Sequence, residues 1–407
     1  MTEKLKIDSI AYRGDGIARA ADGRVWFTPG VCDGEIVIAE AVTEKKSFAK
    51  GRLVAVSEPS RERLANAECS LADGTPSPGC VYGHAAYAAE LRWKQEQLLS
   101  FLSRQARVEN AAEILREPFA SPKRLNYRNK ITLHFAPQKR LGYVADDNET
   151  VIDIPQCPLA APQINEALAE FRDDNAFWRW VSREGGVVLR YTAKDGALVV
   201  TRDTPELTER SPLLGELRVP ATGFYQVNPE VGDALSEYAA GIATAKNPST
   251  ILDFYCGVGV FGLAVAKKIG TGDSLSVNGW DTGADVIRAA NENARRLGFD
   301  EQVKFRNSSM KSAMNDGCLA RLGRALSETV AIVDPPRAGL EPETVRAIAE
   351  NPPSCLIYIS CAPDTLARDL RALTESGRYN IISAKLFDMF PRTAHFESCV
   401  VLENSGK

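Results

Sequence analysis

Two side chains near the C-terminus have types that suit covalent catalysis on a poor nucleophile. Cys361 follows the apolar run "CLIYIS" and precedes "APDTLARDL", whose proline and aspartate fit the first turn of a helix. A strand-to-helix junction brings peptide N–H groups near the sulfur, and thiolates at such sites have pKa values lowered to roughly 3.5–7.5. The charge of Asp364 opposes that effect, so a modest lowering is expected. Glu397 precedes the apolar stretch that begins at Cys399, "CVVL", and is expected at a strand edge as a candidate general base. His395, two residues away on the same side of a strand, competes for that role. Cys355 and Cys399 read as core thiols.

A second constellation lies in "ILDFYCGVGVFGLAVA", where an apolar strand ends near Asp253 and Tyr255. Gly257 and Gly259 make the turn into a helix starting near Val260, and small residues there let a ligand approach the backbone. The next strand ends at Asp281, an acid placed to accept hydrogen bonds from both hydroxyls of a ribose. A later strand ends in "DPPR", Asp334 to Arg337, a rigid ledge suited to a planar base. The turn reads as a D-x-x-C-G pattern without the third glycine of a G-x-G-x-x-G spacing, and with this ledge it favours a nucleoside-containing methyl donor over a dinucleotide.

The elements that must carry these residues follow from the patterning. A chain of 407 residues is expected to form two or three domains. Hydrophobic content of 44% and charged content of 25% fit a soluble globular protein. There is no apolar run of about 18 or more residues to cross a membrane. The start lacks the apolar core of a signal peptide, so a cytoplasmic location and reduced cysteines are expected. The net charge of −4 says little about partners, but residues 91–145 hold eleven Lys/Arg against four Asp/Glu. That run suits either a solvated helical face or a phosphate-binding face. Alternating segments over 4–56 predict a small β-barrel, and apolar spacing predicts a helix from Tyr87 to about Leu115. A β-rich region with a helix at about 162–182 follows. After Pro220, strands such as "TILDFY" and "TVAIVDPP" alternate with helical stretches, the mark of a doubly wound parallel sheet.

In order along the chain, the barrel, "YRNK" at 127–130, "LGY…VIDIPQCPL", "FYQVNPE", "DFYCGVGVFGLAVA", "DPPRAGL", "YISCAPDTLARDL" and "DMFPRTAHFESCVVL" resemble the RNA uracil-5 methyltransferase family. The resemblance covers nearly the whole chain. It implies an α/β fold of three parts: a TRAM-like (OB-like) barrel over 1–57 that binds RNA, a central α+β domain over 58–215, and a Rossmann-like methyltransferase domain over 216–407. It implies methylation of carbon-5 of a uridine in a tRNA or rRNA loop, with S-adenosylmethionine as donor. A monomer is favoured.

By the same resemblance, Cys361 adds to carbon-6 of uracil and Glu397 removes the carbon-5 proton. Gln226, Tyr255, Gly257, Gly259, Asp281 and Asp334 bind the donor or face the base. Val260 stands where relatives often carry asparagine and reads as core packing. Lys123, Arg124, Arg128, Asn129 and Lys130 are expected to grip RNA, with Arg128 and Asn129 also candidates to contact the carbonyl oxygens of the base. Many members hold a [4Fe–4S] cluster on four cysteines. Here Cys69, Cys80 and Cys157 fall at ligand positions and Ser77 at the position of the second ligand, so a retained metal role is expected with one thiolate missing. Two other readings stand beside this one. An amino-group methyltransferase would use the acid–Pro–Pro ledge without a nucleophilic cysteine, and an RNA-binding protein would keep the pocket without catalysis.

Overall fold

The computed structural model describes residues 2–71, 74–145, 147–270 and 275–406. Five strands, β1 (Thr2–Ile10), β2 (Gly16–Arg19), β3 (Val25–Thr28), β4 (Ile36–Glu44) and β5 (Phe48–Glu58), close into a barrel in the order β1-β2-β3-β5-β4. Period-two alternation drives this closure, since Leu5, Ile7, Trp26, Val37 and Ala39 point inward and are buried. The helix Tyr87–Ser100 follows, continues as a wide turn over Phe101–Gln105, and gives way to a short helix, Ala111–Ile114. The expected helical stretch therefore ends sooner than its apolar spacing predicts. Leu115 instead opens β6 (Leu115–Phe119), where Pro118 is compatible with a strand at a sheet edge.

The central region is an antiparallel sheet of β7 (Lys130–Ala136), β8 (Arg140–Val144), β9 (Val151–Asp153), β10 (Gly186–Thr192) and β11 (Gly196–Val200), in the order β11-β10-β7-β8-β9. The helix expected at 162–182 is two, Pro162–Asp173 and Asn175–Glu184. Asp174 has extended backbone and its carboxylate accepts from the Ala176 N–H, so it caps the second helix and ends the first. A hairpin, β12 (Leu207–Ser211) and β13 (Gly215–Val219), leads on to the large sheet.

That sheet contains β14 (Thr250–Phe254), β15 (Ser276–Asp281), β16 (Val303–Asn307), β17 (Thr329–Val333), β18 (Cys355–Ser360), β19 (Tyr379–Phe387) and β20 (Glu397–Asn404). Its order is β16-β15-β14-β17-β18-β20-β19-β6, with β14 to β18 parallel and β20 antiparallel to its neighbours. Both faces are covered. Leu235, Ala264 and Ile287, from the helices Pro229–Ala245, Val260–Ile269 and Ala284–Arg296, pack on one face. Leu98, Ile348, Leu366 and Leu370 pack on the other. Strands buried on both sides read as continuous apolar runs, as "TILDF" and "TVAIV" do. Chain order reverses between β14 and β17, and ligands of such sheets bind outside the strand ends at that point.

Candidate active site

Strand register alone assembles the site. Phe254 of β14 is paired with Trp280 of β15 and with Val333 of β17, so Tyr255, Asp281 and Asp334 lie together just past the strand ends. In β18 and β20 the last antiparallel pair is Ser360 with Ser398, reinforced by the Ser398 hydroxyl donating to the Ser360 carbonyl at 3.2 Å. One step further along this register stand Cys361 and Glu397, the expected nucleophile and base, on adjoining strands.

The electrostatics differ from the sequence expectation at the sulfur. Burial pushes the Cys361 thiol up to about 12, and the neighbouring charges of Glu397 and Asp334 add to the rise. Arg337, the last residue of "DPPR", lies beside the sulfur and pulls the other way. Cys361 also precedes Ala362, the residue that caps the helix Pro363–Glu375, and so stands outside the helix's first turn. The expected lowering by the helix N-terminus is thus corrected: desolvation and two carboxylates outweigh it. Arg337 was not singled out from the sequence, although its place directly after the ledge was a usable signal.

Glu397 is 4% exposed. Burial, and then the charge of Asp334, raise its carboxyl well above the ordinary range, while Arg337 lowers it. Burial pushes Asp334 up to about 7, with Asp253 and Asp281 contributing. Burial and surrounding cations, Arg337 first, hold His395 down to about 4. Oε2 of Glu397 and Nδ1 of His395 are buried with no hydrogen-bond partner among the described residues. Two orphaned polar atoms, one of them on the carboxylate that acts on the thiol, call for an explanation, and an incoming ligand group supplies it.

A cleft with a cavity volume of about 50 Å³ adjoins this cluster, lined by Phe224, Gln226, Tyr255, Gly257, Val260 and Asp334 among others. A Cβ at Gly257 would meet nothing within 4 Å, so the backbone there faces open space. Asp281 accepts the Gly257 N–H at 3.0 Å, which fixes the turn. Gly259 serves differently from the expectation of ligand contact. Its φ is 87°, and an added Cβ would lie 2.6 Å from the Phe305 ring, so packing requires the glycine. Gly262, three residues on, does complete a G-x-G-x-x-G spacing, which corrects the expectation of a missing third glycine. Its N–H donates to the buried Asp253 carboxylate at 2.8 Å, locking helix to strand. Val260 lines the cleft and also packs against the core. The residue types fit a nucleoside-bearing methyl donor: a glycine turn with exposed backbone and an amide at Gln226 line the cleft, and Asp281, an acid at the end of β15, holds that turn.

Buried charges hold both sides of this cleft. Arg190, 1% exposed, pairs with Glu209 at 2.9 Å and donates to the carbonyls of Pro220, Ala221 and Gly223, fixing the loop that ends in Gln226. Lys94 bridges Glu90 at 2.8 Å and Asp388 at 2.7 Å, while Arg392 meets Glu90 at 3.1 Å and Glu68 at 2.8 Å. This network clamps the helix Tyr87–Ser100 to the loop running from Asp388 into β20, which carries His395 and Glu397.

The expected RNA-gripping residues are dispersed. Lys123 pairs with Glu230 at 2.6 Å and Arg124 with Glu68 at 3.0 Å, both at the surface. The amide of Asn129 donates to the Gln226 carbonyl at 3.2 Å. Lys130 is half-buried, and its pKa is lowered by burial and by Arg190. Arg128 donates to the Tyr127 hydroxyl at 3.4 Å and lines a separate cavity with Ser77, Tyr143 and Cys157. The metal expectation fares poorly. The sulfurs of Cys69 and Cys80 are bonded to each other, and Cys157 instead accepts from the Tyr143 hydroxyl at 3.3 Å. Among the described residues no group of three or more His, Cys, Asp or Glu is placed to hold a metal ion. With two candidate thiols joined and Ser77 at the position of the second ligand, the arrangement does not fit a four-thiolate cluster.

Comparison with known proteins agrees with this geometry. A tRNA (uracil(54)-C(5))-methyltransferase of Schizosaccharomyces pombe is 27% identical, over 98% of this chain and 77% of its own length. An uncharacterized RNA methyltransferase of Thermotoga maritima is 26% identical over 99% of both chains. The crystal structure of Pyrococcus abyssi tRNA (uracil-54, C5)-methyltransferase with S-adenosyl-L-homocysteine superposes with a TM-score of 0.73, covering 98% of this chain and 99% of that one, at 22% identity. Residues 215–405, which carry β14 to β20, the cleft, Cys361 and Glu397, match the model of the tRNA (uracil-5-)-methyltransferase family.

Proposed function

We propose that the protein methylates carbon-5 of a uridine in structured RNA through a transient bond between Cys361 and carbon-6. The observation that carries this reading is the placement of Cys361 and Glu397 on adjoining strands, with Asp334 bordering the donor cleft and acting on both. Carbon-5 of uracil is too weak a nucleophile to displace a methyl group unaided. Cys361 first loses its thiol proton to solvent, with Arg337 beside the sulfur favouring the thiolate, and addition of that thiolate to carbon-6 makes an enolate whose carbon-5 is electron-rich. The donor, S-adenosylmethionine, supplies the electrophilic methyl.

Gln226, the Gly257 turn and Asp281 hold and orient the donor. The Glu397 carboxylate then takes the carbon-5 proton, and the electron pair of that bond restores the double bond and expels the sulfur. Arg337 offsets the charge that gathers on the sulfur and between the two carboxylates. A stacked base cannot reach the sulfur, so the target uridine sits in a loop or is flipped out. The family match and the Schizosaccharomyces pombe relative support a tRNA as that RNA.

We read the barrel and the basic segment 91–145 as the RNA-gripping parts, with Lys123 and Arg124 exchanging their surface carboxylates for phosphates on binding. Incubation of an unmodified RNA transcript with isotopically labelled donor, followed by nucleoside analysis, tests the reaction. Label in 5-methyluridine supports it. Label on an exocyclic amine establishes an amino-group methyltransferase instead.

A further inference from the structure

Beyond the residues of the large sheet, one piece of the barrel reaches the catalytic mouth. The turn between β1 and β2 is fastened down at three points. The Gln97 amide donates to the carbonyls of Ile10 and Ala11 at 3.3 and 3.0 Å. A Cβ on Gly14 would lie 3.1 Å from Val81, so only glycine allows this approach. The Tyr12 ring packs edge-on against Phe101 at 5.3 Å and Phe396 at 6.1 Å between centroids. Phe396 lies between His395 and Glu397 in sequence, so the tyrosine is seated on the strand entrance that carries the base.

Two features of this turn lack a structural use. The Tyr12 hydroxyl has no hydrogen-bond partner among the described residues, although the ring is clamped. Arg13 is exposed, has no carboxylate partner among those residues, and holds a left-handed backbone with φ of 82°. Non-glycine residues in that region are uncommon and concentrate where function demands them.

We propose that the β1–β2 turn is a wall of the nucleobase pocket, with the Tyr12 hydroxyl donating to a carbonyl oxygen of the target base and Arg13 contacting the phosphate of the same nucleotide. The inference rests on the uridine reading above. Tyr12 then acts where the enolate oxygen gathers charge, a position at which a hydrogen-bond donor has its largest effect. Its electrostatic surroundings agree: after burial, the charges of Asp364, Arg13, Cys361 and Arg337 act on the Tyr12 hydroxyl. The barrel thereby becomes part of the active site rather than a remote RNA handle.

The test times covalent adduct formation on RNA containing 5-fluorouridine, with donor present, for wild type, Tyr12→Phe and Arg13→Ala. Tyr12→Phe keeps the ring packing and is expected to slow adduct formation by about tenfold or more. Its donor affinity by calorimetry and its melting temperature are expected to stay at the wild-type values. Arg13→Ala is expected to raise KM for RNA, leave kcat near wild type, and reduce the salt dependence of RNA binding by about one phosphate contact. Wild-type adduct rates in Tyr12→Phe overturn the proposal, as does a loss of donor affinity or melting temperature that accounts for the slower rate. If wild type forms no adduct, the uridine reading falls and this inference falls with it.

Discussion

At the scale of single residues, the proposed chemistry turns on the Cys361 thiol, whose pKa burial raises. Burial and two carboxylates raise Cys361 to about 12, so thiolate is scarce at neutral pH and grows as pH climbs toward that value. Alkylation of Cys361 by iodoacetamide is therefore expected to be slow at pH 7.5 and to accelerate steadily above pH 9. Arg337→Ala removes the cation that pulls this pKa down and is expected to slow alkylation further; faster labelling in that variant contradicts the assignment. Replacing the base should separate the two halves of the reaction. Glu397→Gln is expected to form the bond to carbon-6 and then stall, so that denaturing gels of reactions on ordinary RNA retain a protein–RNA species that wild type resolves. The sequence singled out Cys361 by its place between an apolar strand and a proline-led helix, and Glu397 through the family resemblance. It did not make the direction of the pKa shift legible. That direction depends on Asp334 and Arg337, which neighbour the sulfur only after strands far apart in sequence are laid side by side.

At the scale of elements, the turn after β14 joins binding to stability. Burial raises Asp253 to about 7, the Gly262 N–H opposes this, and Asp281 adds to it. The unfolded chain ionises the same group near the ordinary value of about 3.9. Between those values the folded state holds a proton that the unfolded state has released, so stability falls as pH rises from about 4 to 7 and the penalty is complete above 7. Asp253→Asn is expected to flatten the dependence of melting temperature on pH across that window in donor-free protein; an unchanged slope counts against the shift. The strands and the Gly257 turn could be read from apolar runs and small residues. The part played by Gly259 could not, because its demand comes from the Phe305 ring two strands away. The split helix at 162–184 was blurred for a related reason, since Asp174 ends one helix and caps the next without interrupting the apolar spacing.

At the scale of the whole molecule, buried ions join the N-terminal half to the catalytic sheet. Lys94, Glu90 and Asp388 are 0% exposed, and Arg392 is 1% exposed. Removing one member leaves charge uncompensated in a dry environment, so Lys94→Met is expected to cost roughly 3–5 kcal/mol, measured by the shift in denaturant midpoint. A cost below about 1 kcal/mol shows that water reaches the network, and the clamp on the loop before Glu397 is then not rigid. Nothing in the sequence pairs residues 90 and 94 with 388 and 392, which are nearly three hundred positions away. The alternation of strands and helices after Pro220 announced the doubly wound sheet, whereas the addition of β6 to its far edge was hidden in a stretch that read as helix. The same long-range assembly sets the sulfur beside its base, and one experiment addresses that most directly. Wild type, mixed with donor and RNA carrying 5-fluorouridine at the target, is expected to yield a complex that survives denaturing electrophoresis, because fluorine on carbon-5 cannot leave as a proton does. Cys361→Ala is expected to yield none while binding the donor with wild-type affinity. A stable complex in the alanine variant, or none in the wild type on RNA that it methylates when unsubstituted, contradicts the covalent route.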